Sequence, residues 1–89
     1  MPKVQIPTPL RVHACGADVV TAEGATAGEV LRNLAAAYPA LGERLFEGEE
    51  IRRFINVYVN NEDIRYLDDL NTKVAPDDEI AIIPAIAGG

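Results

Sequence analysis

Phe54-Ile55-Asn56-Val57-Tyr58-Val59-Asn60 alternates with period two, so Ile55, Val57 and Val59 fall on one face of an extended chain while Phe54, Asn56 and Tyr58 fall on the other. The all-aliphatic face is the one a core would take. Toward the C-terminus, Asn60-Asn61-Glu62-Asp63 has turn composition, Ile64-Arg65-Tyr66 reads as a short return strand, and Pro76-Asp77-Asp78-Glu79 is a second turn. Ile80-Ala81-Ile82-Ile83 is dominated by β-branched residues and reads as the final strand, with Pro84 ending it.

Working back from Phe54, Glu47 to Arg52 is expected to be a polar loop, and Ala40 to Phe46 adds a short helical turn with Leu41, Leu45 and Phe46 toward the core. Before it lies an amphipathic helix. Val30, Leu31, Leu34, Ala35 and Tyr38 recur at helical spacing, leaving Glu29, Arg32, Asn33 and Ala36 nearer solvent, and Pro39 closes the run. Thr26-Ala27-Gly28-Glu29 fits a capping box, the Thr26 hydroxyl accepting from the Glu29 N–H and the Glu29 carboxylate reaching back to that of Thr26. Lys3 to Pro9 and Asp18 to Thr21 read as two strands, most simply joined as a hairpin through Cys15-Gly16.

This order predicts an α+β domain in which one main helix packs across a mixed sheet. The first and last strands run parallel at its centre, which sends the chain beyond Pro84 outward. The domain is expected to span residues 1–84, with 85–89 a flexible tail ending in Gly88-Gly89. Two glycines offer no side chain to clash in a narrow enzyme channel, and five residues extend about 16 Å at roughly 3.3 Å each. The tail is thus long enough to enter a partner's active site while the folded body stays outside.

Composition narrows the function classes. At 89 residues the chain holds one modest core. A net charge of −6 repels the phosphates of nucleic acid. The sequence has no run of about 18 apolar residues and no signal peptide, so a cytoplasmic location away from the membrane is expected. A single cysteine excludes an internal disulfide and a cysteine-rich metal site. No phosphate-binding glycine loop or catalytic constellation is visible, which favours a carrier over an enzyme.

Taken together, the paired strands, the capped helix, Arg53 to Asn60 followed by Glu62-Asp63, the Asp77-Asp78-Glu79-Ile80 turn and the ending Ile83-Pro84-Ala85-Ile86-Ala87-Gly88-Gly89 resemble the ubiquitin-like sulfur carriers of the MoaD and ThiS family, most of all its CysO type. The resemblance covers essentially the whole chain and implies a ubiquitin-like β-grasp fold. It also implies that an E1-like adenylating enzyme of the MoeB or ThiF type, using ATP and magnesium, adenylates Gly89, which a sulfur donor then converts to a thiocarboxylate. Gly88, Ala87 and Ile86 would thread the channel and contact the partner. The carrier itself would hold no stable cofactor, no metal and no catalytic residue. CysO-type relatives deliver sulfur for cysteine biosynthesis through a cysteine synthase, with a metalloprotease releasing the product. MoaD-type relatives serve the large molybdopterin synthase subunit, and a ubiquitin-like modifier is a further alternative. The long Leu41-to-Arg53 connection departs from the shorter ThiS pattern.

Individual residues carry weaker signals. Cys15 and His13 are read as surface or hairpin residues rather than a persulfide carrier or a catalytic pair, because nothing nearby fixes a base. Asp77-Asp78-Glu79 reads as a polar turn, since consecutive carboxylates do not converge on a cation. Phe54, Tyr58 and Tyr66 have two open readings, a candidate partner surface or a secondary core beneath the Leu41-to-Arg53 segment.

Overall fold

The computed structural model describes residues 1–84; the predicted tail, with Ile86, Ala87, Gly88 and Gly89, lies outside the described residues. Among the described residues, seven strands and two α-helices follow one another as β1 Lys3–Gln5, β2 Val19–Thr21, α1 Ala27–Ala37, α2 Pro39–Leu45, β3 Phe46–Glu47, β4 Glu50–Ile51, β5 Ile55–Val59, β6 Glu62–Asp63 and β7 Glu79–Pro84. The main sheet has the order β2-β1-β7-β5-β6, with β1 and β7 parallel at its centre and the other pairs antiparallel. This is the mixed β-grasp sheet expected from the sequence.

Register explains the core. Val4 of β1 stands opposite Ile80 of β7, which stands opposite Val59 of β5, and Ile82 stands opposite Val57. These side chains share the face covered by α1, where Val30, Leu31 and Leu34 are buried with them in one cluster. Burying each such aliphatic side chain stabilises the fold by about 1.5–3 kcal/mol. Leu41 and Leu45 of α2 close the end of the cluster. Gly42 lets α2 approach α1, because a Cβ there would lie 2.6 Å from the Ala35 Cβ.

Four local expectations are corrected. The first strand stops at Gln5, and Thr8–Ala14 is a 3₁₀ helix instead of a simple hairpin connection. Proline at its start presets the helical φ, and Leu10 and Ala14 turn into the core. The Glu29 carboxylate accepts from the Ala25 N–H at 3.0 Å and not from that of Thr26, although the Thr26 hydroxyl does accept from the Glu29 N–H at 3.2 Å. Thr26 is extended and bridged to Lys73, which leaves the preceding N–H within reach.

The polar loop after α2 is a β3–β4 hairpin turning at Gly48, whose φ is +66°, with Phe46 paired to Ile51. Ile64-Arg65-Tyr66 is a 3₁₀ turn, not a strand; the return strand is Glu62–Asp63. There the Asp63 side chain accepts from the Arg65 N–H at 2.9 Å, a local bond that replaces the strand ladder. Asn60 and Asn61, both at positive φ, form the tight turn before it.

Candidate functional site

The site begins at the C-terminal end of the central strand β7. Pro84 is the last residue of β7 and stands opposite Ile55, while Ile83 stands opposite Asn56. Because side chains alternate along a strand, Ile83 and Ala81 lie on the face away from α1. On that face the register sets Val19, Gln5, Ala81, Tyr58 and Asp63 in one row across five strands. Several of its apolar side chains remain in solvent: Ile83 is 45% exposed, Val19 43% and Phe54 50%.

Of the three aromatic residues singled out in the sequence, Tyr58 is half-buried within this row, and Phe54 is exposed just before β5. Tyr66, 87% exposed, stands apart in the 3₁₀ turn Ile64–Tyr66 beyond edge strand β6. Exposure of this degree is incompatible with Phe54 and Tyr66 forming a secondary core. The Leu41-to-Arg53 segment instead sends its own Leu41 and Leu45 into the core cluster, with half-buried Phe46 and Ile51 packed against it.

Beside the exit, a shallow groove runs between the ends of β1 and β7, lined by Gln5, Pro7, Arg11, Asp18, Ile83 and Pro84. Arg11 is held there by its Nε, which donates to the Ile6 carbonyl at 2.9 Å. This cation escaped the sequence reading because the 3₁₀ helix that carries it to the groove was read as part of a strand and hairpin. Its one signal was its position just past Pro9, where the sequence places a strand end but the structure has the first turn of the 3₁₀ helix.

The exposed Cys15 closes that 3₁₀ helix in the left-handed conformation, and the half-buried His13 lies two residues before it. Among the described residues no group of three or more His, Cys, Asp or Glu side chains could hold a metal ion. The Asp77-Asp78 turn has a structural role: Asp78 accepts from the Ala75 N–H at 2.8 Å and from Asn60 Nδ2 at 3.0 Å. These bonds, the backbone one first, hold its carboxyl below the usual aspartate range. No helix among the described residues is long and apolar enough to cross a membrane.

A family model described as the ThiS family matches residues 4–89. The sulfur carrier protein CysO of Mycobacterium tuberculosis is 44% identical over 89 residues, spanning 97% of this chain and 96% of that protein. In a crystal structure of the Amycolatopsis orientalis BexX/CysO complex, a chain covered completely by this one superposes with a TM-score of 0.93 at 42% identity, across all of this chain. The small archaeal modifier protein 1 of Methanosarcina acetivorans has a TM-score of 0.87 at 35% identity, over 98% of this chain and 94% of its own.

Proposed function

We propose, since the chain belongs to the ThiS family, that it carries sulfur as a thiocarboxylate on Gly89 and delivers it in cysteine biosynthesis. One observation carries this reading: the family match runs through residue 89, beyond the central strand Glu79–Pro84. An oxygen of the Gly89 carboxylate attacks the α-phosphorus of ATP and displaces pyrophosphate, forming an acyl-adenylate. Sulfide then attacks the acyl carbon, AMP leaves, and one oxygen has been exchanged for sulfur. The carboxylate is a poor electrophile and the mixed anhydride a good one, so stabilising the charge that develops is the work of the activating enzyme.

ATP and magnesium are bound by that E1-like enzyme, of the MoeB or ThiF type, and the carrier is its substrate. The carrier's share is recognition. Ile83, Phe54 and Tyr58 supply apolar contact on the outer sheet face, and Arg11 supplies a cation beside the exit. Ile86, Ala87 and Gly88 thread the channel. A cysteine synthase accepts the sulfur and a metalloprotease releases the product. Similarity to the sulfur carrier protein CysO across nearly the full chain favours this destination over the large molybdopterin synthase subunit.

The likeness to the small archaeal modifier protein 1 favours a second reading, in which Gly89 is joined to lysines of other proteins. Incubation with the activating enzyme, ATP, magnesium and sulfide separates the two. The carrier reading predicts pyrophosphate release and an intact mass shifted by one oxygen-to-sulfur exchange, both lost on deleting Gly89. Isopeptide adducts on lysine without a thiocarboxylate would establish the modifier.

A further inference from the structure

On the other side of β5 a cleft of about 610 Å³ opens between β4, the start of β5 and two 3₁₀ turns that follow β6, Ile64–Tyr66 and Asp69–Asn71. Its floor is core: Ile55, Val57 and Ile64 are nearly fully buried, yet they line the opening. Its rim carries Arg52, Arg53 and Arg65, three of the eight basic residues of the chain. Glu50 and Asp69 also line it, so the cleft has one net positive charge where the whole chain has a net charge of −6.

Two of the guanidiniums are pre-set. Arg65 Nη2 donates to the carbonyls of Arg53 at 3.4 Å and Ile55 at 3.3 Å, and Arg52 Nε donates to the Glu43 carbonyl at 3.0 Å. Each uses one nitrogen of a fork with five N–H donors, and a guanidinium already fixed in place loses little freedom on meeting a carboxylate.

We propose that this cleft docks an aliphatic side chain flanked by a carboxylate, presented by the enzyme that takes up the chain end. The apolar floor takes the aliphatic group and the arginines take the charge. Position identifies the source, because Ile55 in the floor is the register partner of Pro84. An enzyme holding the residues after Pro84 therefore stands beside the cleft. Only the naming of that enzyme rests on the carrier reading; the chemistry of the cleft does not.

The probe is a capped pentapeptide alternating aspartate with leucine, titrated into methyl-labelled protein by NMR. Saturable shifts are expected at Ile51, Ile55 and Leu70, with affinity about tenfold weaker for the asparagine-leucine analogue and for Arg53→Glu, and largely kept by Arg53→Lys. Arg53 is exposed, so folding of the variant is checked by its unshifted core methyls. No saturable shift, or equal shifts with the asparagine analogue, overturns the proposal. Isovalerate reproducing the shifts at the same concentrations would replace it with a small-anion site. With the activating enzyme, Arg53→Glu is expected to raise the KM for the carrier about tenfold at unchanged kcat. An unchanged KM removes the enzyme as the occupant, whereas absence of activity with the wild-type chain would fault the carrier reading and leave the peptide result standing.

Discussion

The two faces of the five-stranded sheet are built from neighbouring residues of the same strands and have opposite fates. Ile80 and Ile82 point toward α1 and are almost fully buried, whereas Ile83, the next residue of β7, is 45% exposed. One residue of register separates a side chain that holds the fold from one that is free to meet a partner. The helix face supplies stability, and the outer face can change without endangering it.

The sharpest test of this contrast is to truncate both faces. Ile80→Ala leaves a cavity among Val4, Val59 and α1 and is expected to lower unfolding stability by about 2–5 kcal/mol in urea titrations. Ile83→Asp, three residues on, should change stability by only about 0.5 kcal/mol, the usual range for an exposed site. Its cost should fall on recognition, raising the KM for the carrier about tenfold in pyrophosphate-release assays, as loss of an interface anchor does. Equal destabilisation by both substitutions would break the comparison.

The next test concerns the helix that makes one face dry. Thr26→Ala removes the hydroxyl that accepts from the Glu29 N–H and should cost about 1 kcal/mol, measured in the same titrations. The smallest effect lies at the far end of β7, in the turn that starts it. The folded-state pKa of Asp78 is depressed, so its contribution is complete above the ordinary aspartate value and is lost as pH falls through the lower folded value. Asp78→Asn should flatten the acid limb of a stability-versus-pH profile and leave its neutral region parallel to wild type.

Much of this was legible because the signals were periodic. Ile55, Val57 and Val59 announced their shared face, and Val30, Leu31 and Leu34 announced the helix that covers it. What escaped was aperiodic. The β3–β4 hairpin has only two residues per strand and an acidic sequence, so no alternation reports it, and its turn depends on the positive φ of Gly48. Arg11 reaches the exit because Pro7 and Pro9 divert the chain into a 3₁₀ helix, a tertiary outcome with no repeat to read. The arginine-rimmed cleft gathers Arg52, Arg53 and Arg65 from two sides of β5, and only the folded chain brings them together.

The proposed division of labour between body and chain end is tested most directly by top-down mass spectrometry of the protein after reaction with the E1-like enzyme proposed to activate it, ATP, magnesium and sulfide. The account predicts one oxygen replaced by sulfur, localised by fragmentation to Gly89, with Cys15 unmodified. A Gly89 carboxylate that keeps both oxygens under these conditions would contradict it.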